Sequence, residues 1–345
     1  MSGTDITHNA LGLDGFAFVE FTGPDTNAMA GQLAALGFTA VARHPERALT
    51  LFRQGRADFV LNSAGSPQAE RFAAAHGPSA NGMGFRVADA RKAYELALEH
   101  GALAAKGADS AFRDVPVLQG IGGSLLYLID SDPFAGWTKL ADAGAGVGFL
   151  EIDHLTHNVK RGQMRTWSSF YAQVFGFEEQ RYFDIKGQAT GLFSQAMIAP
   201  DGRIRIPLNE SQDDTSQIEE FLREYNGEGI QHIALSTDDI YATVEALRAN
   251  GVQLQDTIGA YYDLIDKRVP GHGEDLDRLR RNRILIDGSV EDGILLQIFT
   301  ENTFGPIFFE IIQRKGNEGF GNGNFQALFE SIELDQIRRG VIKVA

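Results

Sequence analysis

Three side chains that could together hold a metal ion lie at equal spacing along the chain. They are His154, His232 and Glu310 (232 − 154 = 310 − 232 = 78). Each sits in a run that reads as a strand: EIDHLT over 151–156, GIQHIAL over 229–235 and FFEIIQRKG over 308–316. Glu310 has almost no polar company among Phe304, Ile307, Phe308, Phe309, Ile311 and Ile312. An ionised carboxylate is costly to bury there unless it is paired or binds a metal. A lone Glu in a strand ordinarily alternates outward to solvent. Two histidines in comparable runs shift that balance. Two His and one carboxylate on separate strands form the facial triad that leaves open positions on a non-haem Fe(II), although such ligands suit other divalent metals as well.

Ligands this far apart in sequence need a scaffold that returns strand after strand to one place, and the chain contains a repeat. A strand at 15–21 leads to a helix at 27–36 closed by Gly37, then to strands at 49–55 and 57–62. The order recurs with a strand at 82–87, a helix at 88–100 before Gly101, and strands through 125–130. A third round starts at Ile152 with a helix at 164–175 before Gly176. A fourth starts at Ile230 with a helix at 240–250 before Gly251 and strands at 293–299 and 308–313. Glycine just past each helix is a favoured terminator, and four such rounds mark an internal repeat. The joint is predicted at 135–148, a small-residue linker containing ADAGAGVG that Trp137 could pin. That divides the chain into domains 1–135 and 149–345. Aligned by eye, Phe16, Phe85 and Tyr127 replace His154, His232 and Glu310, so the first half is expected to be a packed scaffold without a metal. The segment GNEGFGNGNF (316–325) lacks the strand–turn–helix context of a phosphate loop and reads as a hinge. Phe325, Leu328, Phe329, Ile332 and Ile337 then follow helical spacing, a terminal helix that either closes over a site as a lid or simply docks on the core.

Composition narrows the chemistry. The 345 residues include no Cys, which excludes disulfides, thiolate catalysis, Fe–S clusters and Cys-type zinc sites. The formal net charge of −15 disfavours nucleic acid as a partner. No basic region followed by an apolar run opens the chain, and no window approaches the ~20 apolar residues of a membrane span. A cytoplasmic protein with no membrane partner is expected.

The runs DHLTHNV (153–159), GEGIQHIA (227–234), LLQIF (295–299), FEIIQR (309–314) and GFGNGNF (319–325) resemble the 4-hydroxyphenylpyruvate dioxygenase family of the vicinal-oxygen-chelate superfamily. The resemblance is dense over 151–341. In the first half it keeps mainly the 15–21 strand and the repeat plan. It implies an α+β fold of four βαβββ modules paired into two open-barrel domains, the glyoxalase-like fold. It implies one Fe(II) per chain on His154, His232 and Glu310. His157, three residues on, faces the other side of its strand, and His8, His44, His76, His100 and His272 read as solvated. The implied reaction joins 4-hydroxyphenylpyruvate and O2 to give homogentisate and CO2 in tyrosine and phenylalanine catabolism, in a homo-oligomer of two or four chains. Ser194, Asn209, Gln231 and Gln297 match polar catalytic positions, and Gln217 and Asn324 match further polar positions of the pocket. Phe299, Phe308, Phe320 and Phe325 match its aromatic wall. An apolar site with a few placed amides and hydroxyls suits a phenol. The residues around Ser194, in FSQA (193–196), depart from the family pattern. The nearest rival is the sister activity, hydroxymandelate synthase, which oxidises the benzylic carbon. Phe325 and the Pro207–Asn209 pair favour ring hydroxylation. An extradiol catechol dioxygenase lacks the 297–299 and 319–325 runs, and a non-catalytic binding member would not need all three ligands.

Overall fold

The computed structural model describes residues 8–186, 190–257, 259–321, 323–324, 336–337 and 339–342. The first half contributes β1 (Phe16–Thr22), β2 (Thr39–Arg43), β3 (Leu49–Gln54), β4 (Ala57–Asn62), β5 (Ser79–Arg86), β6 (Val117–Gln119), β7 (Leu125–Ile129) and β8 (Thr138–Lys139). The second contributes β9 (Phe149–Val159), β10 (Glu178–Lys186), β11 (Gly191–Ile198), β12 (Arg205–Ser211), β13 (Gly229–Thr237), β14 (Leu285–Ser289), β15 (Gly293–Phe299) and β16 (Phe308–Lys315). Each half is one mixed sheet of eight strands, in the orders β6-β7-β5-β1-β4-β3-β2-β8 and β10-β11-β12-β9-β13-β16-β15-β14. The helices of the four rounds are α1 (Thr26–Ala35), α3 (Ala90–Glu99), α4 (Met164–Phe175) and α6 (Ile240–Ala249). Between them lie α2 (Pro67–His76) and α5 (Gln217–Glu224), which the periodicity does not reveal.

The first, third and fourth rounds are complete βαβββ units. The second supplies β5, β6 and β7 only. Its connection after α3 is taken up by a 3-10 turn at Gly107–Asp109 and a single bridge from Ala104 to Leu118. The first sheet is completed instead by β8, which pairs with β2. The 135–148 linker is therefore tied down near its start. Trp137 stacks on Phe112 at 6.1 Å and meets Phe134 edge-on at 5.2 Å. At its far end Gln54 Oε1 accepts from the backbone N–H groups of Val147, Gly148 and Phe149.

One hydrophobic core runs through both halves. Phe309 packs against Phe59 and Phe21 at 5.9 and 6.4 Å, and Phe304 against Phe21 at 5.0 Å. This decides the facing of Glu310. Alternate residues of a strand point to opposite faces, so with Phe309 and Ile311 against the first half, Phe308, Glu310 and Ile312 turn into the interior of the second sheet. The strand is buried on both sides and offers its carboxylate no solvent face.

The register corrects the alignment between halves. His154, Ala234 and Glu310 lie side by side on β9, β13 and β16. Phe18, Gly84 and Tyr127 do so on β1, β5 and β7. Phe18, not Phe16, is therefore the counterpart of His154. Gly82, not Phe85, is the counterpart of His232, and Tyr127 keeps its place opposite Glu310. The expected counterparts are thus off by two residues on β1 (18 − 16) and by three on β5 (85 − 82), because apolar runs alone offer no landmark; Ala17 and Asn81 are extra residues at register shifts of this sheet. Nor is the first interior purely aromatic. Glu20, fully buried, accepts from Asn62 Nδ2, Asn81 Nδ2 and the Tyr127 hydroxyl, each at 2.7 Å.

Candidate metal centre and pocket

Three neighbouring strands deliver the triad. Glu310 Oε2 lies 3.1 Å from His154 Nε2 and 3.3 Å from His232 Nε2, and one ligand atom from each residue lies within 4.8 Å of the others. Bonds of about 2.1 Å meeting at right angles put neighbouring ligand atoms about 3.0 Å apart, so the two distances from Glu310 are those of adjacent ligands on a divalent ion. Ala234 stands between His154 and Glu310 in the same row, and its methyl leaves the row open. Sequence reasoning missed it; the signal was a small residue two positions after His232. Ala234→Leu is expected to weaken Co(II) binding about 5- to 150-fold, because overpacking strain costs about 1–3 kcal/mol and each 1.4 kcal/mol is about tenfold. Chelator competition measures this, and unchanged affinity in a folded variant would show that the row has room to spare.

Both histidines follow an irregularity in the ladder. Between β9 and β13 the register shifts at Asp153 and again at Gln231, so each is an extra residue immediately before a histidine ligand. A bulge re-aims a side chain. Asp153 Oδ1 reaches His154 Nδ1 at 2.8 Å, and Gln231 Oε1 reaches His232 Nδ1 at 3.2 Å. A carboxylate only accepts, so His154 carries a proton on Nδ1, and Nε2 is the atom that faces Glu310 and would bind a metal. An acceptor on the far nitrogen is the usual way a metal-binding imidazole is held.

The electrostatics suit ligands. Burial works to raise Glu310, but the two imidazoles beside it outweigh that and hold it down at about 2. Burial likewise opposes the ionised form of Asp153, yet the Arg314 guanidinium, which donates to each of its two oxygens at 2.8 Å, keeps that carboxyl well below the usual range. His232 is lowered, chiefly by burial. His157 does not join them. It lies on the opposite face, buried, with Nε2 at 2.7 Å from the Tyr171 hydroxyl of α4, and burial pushes it down to about 3.

The same interior face carries most of the predicted pocket. Ser194, Asn209 and Asn158 form one row across β11, β12 and β9, and Thr156 sits opposite His232. Ser194 Oγ, Asn209 Oδ1, both amide atoms of Asn158 and Thr156 Oγ1 are buried with no hydrogen-bond partner among the described residues. Buried polar atoms are nearly always paired, so such a cluster is prepared for a polar guest. Asn158 and Thr156 were not singled out, though two-residue steps from His154 lead straight to them.

Phe308 stacks on His232 at 4.9 Å and Phe299 meets the same ring edge-on at 6.2 Å. Phe320 meets His154 edge-on at 5.5 Å. Gln297 Oε1 accepts from Asn324 Nδ2 at 3.3 Å, and the Tyr261 hydroxyl donates to Asn324 Oδ1 at 2.8 Å. Gly321 makes this approach possible: its φ is +68°, and a Cβ there would lie 2.2 Å from Gln297 Oε1. Gln217 is buried in the first turn of α5, and among the described residues no hydrogen bond joins it to the triad. Phe325 and most of the proposed lid helix lie outside the described residues. The 316–321 part of the predicted hinge is pinned, with Asn317 and Gly319 bound by Arg314. Three of the other histidines are engaged rather than merely solvated. His76 stacks on Tyr225 at 4.8 Å, His272 Nε2 lies 3.0 Å from Asp266, and His44 accepts from the backbone of Glu46 and Arg47.

The chain matches the family described as hydroxyphenylpyruvate dioxygenase, N-terminal, over residues 7–143, and the glyoxalase/bleomycin resistance protein/dioxygenase superfamily over 151–264. It is 55% identical to a 4-hydroxyphenylpyruvate dioxygenase of Legionella pneumophila (strain Corby), covering 97% of this chain and 98% of that protein. Its identity to the 4-hydroxyphenylpyruvate dioxygenase of Pseudomonas aeruginosa is 56%, with 97% and 98% covered. A solved structure, a triple mutant of 4-hydroxymandelate synthase from Streptomyces coelicolor, superposes with a TM-score of 0.84 at 29% identity over 94% of this chain and 99% of its own.

Proposed function

The chain belongs to the 4-hydroxyphenylpyruvate dioxygenase family, and from that premise we propose that it converts 4-hydroxyphenylpyruvate and O2 into homogentisate and CO2, with one Fe(II) held by His154, His232 and Glu310. The observation that carries this reading is a ligand set at coordination spacing that faces a row of unpartnered buried polar atoms. Bound there, ferrous ion supplies open positions and one-electron chemistry at which a 2-oxo acid and O2 are brought together.

The protein's own residues supply charge, orientation and dryness. Glu310 is ionised, and with the substrate carboxylate it balances a 2+ charge, which limits the cost of burial. Gln231 accepts from His232 through its carbonyl and keeps its amide N–H groups for the substrate. Ser194, Asn209 and Asn158 offer hydroxyl and amide partners to substrate oxygens. Gln297, held by Asn324, offers its amide from β15. Phe299 and Phe308, edge to face at 6.0 Å, hold the aromatic ring beside His232. Gln217, Phe320 and Phe325 complete the pocket.

Residues 1–135 form the scaffold without a metal, and 149–345 form the catalytic domain. The C-terminal segment closes as a lid, a role supported by the Arg339–Glu220 ion pair at 2.6 Å that fastens its end to α5. No described helix is long and apolar enough to cross a membrane. The protein works in the cytoplasm on the catabolic route of tyrosine and phenylalanine, as a homo-oligomer whose first half, free of ligands, is available for assembly.

The test is a product assay. The purified chain is loaded with Fe(II) without oxygen, given 4-hydroxyphenylpyruvate, exposed to O2, and its products are separated. Homogentisate with matching CO2 is expected. Hydroxymandelate would move the chain to the sister reaction, and absence of oxygen uptake by the iron-loaded protein would overturn both.

A further inference from the structure

Arg314 lies four residues beyond Glu310 on β16, and its side chain is 12% exposed. Its Nε and Nη2 grip the two oxygens of Asp153, each at 2.8 Å, and Asp153 holds His154. Its Nη1 donates to the carbonyls of Asn317 and Gly319 at 3.1 and 2.5 Å. Its guanidinium carbon lies 5.8 Å from the ring centre of Phe320, the residue whose ring meets His154 edge-on. These contacts close a circuit: His154 to Asp153, to Arg314, to the 317–320 loop, and through Phe320 back to the same imidazole. Among the described residues no comparable circuit surrounds His232, whose Nδ1 partner is the neutral Gln231.

We propose that Arg314 is a positioning residue that locks the metal ligand His154 and the 317–320 loop into one unit, so that ligand geometry and the pocket wall are set together. A planar fork with donors on three nitrogens can serve a carboxylate and two carbonyls at once, which an ammonium cannot do in the same geometry. Arg205 does not stand in for it, since its nearest approach to Asp153 is 3.8 Å and its own tight partner is Glu318 at 2.5 Å. Loss of Arg314 therefore weakens metal binding and substrate binding together, whereas a merely structural arginine would affect melting temperature alone.

The inference rests on the metal assignment made above, and the experiment separates the two. Co(II) is bound to the full chain and followed by chelator competition and by its visible spectrum, in the wild type and in Arg314→Met, Arg314→Lys, Asp153→Asn and the Asp153→Asn/Arg314→Met double variant. Arg314→Met is expected to bind Co(II) about 10- to 100-fold more weakly, as for lost partners of metal ligands in general, and with an altered spectrum. Arg314→Lys is expected to recover only part of the affinity. The double variant is expected to be little worse than either single one, because both break the same chain of contacts. With Fe(II) loaded, KM for the 2-oxo acid is expected to rise in Arg314→Lys. A folded Arg314→Met, or a folded Arg314→Lys if the first does not fold, with wild-type Co(II) affinity and spectrum would overturn the proposal. So would fully additive effects in the double variant. Equal Co(II) binding by wild type and His232→Ala would overturn the metal assignment itself, and this inference with it.

Discussion

His232→Ala abolishes homogentisate formation, with turnover expected to fall at least about 10³-fold, which corresponds to about 4 kcal/mol at 1.36 kcal/mol per tenfold. The variant removes one of three ligands and, with it, the imidazole on which Phe308 stacks. It also leaves Glu310, 3% exposed, with His154 as its one close partner among the described residues. Taking a hydrogen-bonding partner from a buried carboxylate is destabilising because the charge stays buried and less well satisfied. The metal-free variant should therefore melt lower than the metal-free wild type. The measurement is metal content after loading, paired with oxygen uptake. A variant that keeps stoichiometric metal and more than about a tenth of the wild-type turnover, one tenfold step, would remove His232 from the ligand set.

Acid is expected to unfold the protein partly through a histidine that never touches the metal. His157 is buried between its strand and α4, and its pKa falls from 6.5 to about 3, mainly through burial. The depressed value fixes the sign. Folding favours neutral His157, so its contribution is fully present above pH 6.5. It is lost as pH falls toward about 3, because the unfolded chain takes up the proton first. The loss approaches about 1.4 kcal/mol per pH unit, or about 2 kcal/mol between pH 6.5 and 4.5. Glu310 and Asp153 add losses of their own at lower pH, since both are held below their ordinary values. Urea unfolding of wild type and His157→Gln across that window isolates the effect, because the other titrating groups are common to both. Parallel pH profiles for the two proteins would show that His157 is protonated without unfolding.

The ligand set was legible in the sequence because its signal is chemical. A carboxylate inside FFEII and a histidine inside GIQHIAL have few alternatives once each run is a strand. Phe309 shows why the outward reading of Glu310 fails: the residue beside it is buried against the first half, which no local pattern reveals. The bulges were not legible. Ala17, Asn81, Asp153 and Gln231 look like ordinary strand residues, and only the pairing of two strands makes one of them extra. That is why Asp153 was not recognised as a partner of the ligand after it; the counterparts of His154 and His232 were displaced because the apolar runs of the first half offer no landmark. Helices α2 and α5 were also missed. Each begins at a serine cap whose hydroxyl accepts from a backbone N–H three residues on, Ala69 and Glu219 respectively. Such caps are short-range signals that a search for repeating strands passes over.

The paired bulges also bear on how the two halves came to differ. Ala17 and Asn81 break the first ladder where Asp153 and Gln231 break the second, yet the first half carries Phe18, Gly82 and Tyr127 where the second carries His154, His232 and Glu310. The kinked backbone is thus not moulded by a metal. It belongs to the module, and the ligands are tenants of a frame that stands without them. In the first half the tenancy has gone to Glu20, whose carboxyl fills the interior beside Gly82 and is held by Asn62, Asn81 and Tyr127. Asn62 is the positional counterpart of Asn209, so even an amide of the pocket is kept. The separation between an inert module and a reactive one is counted here in side chains, and an evolving or engineered chain could cross it without moving a strand.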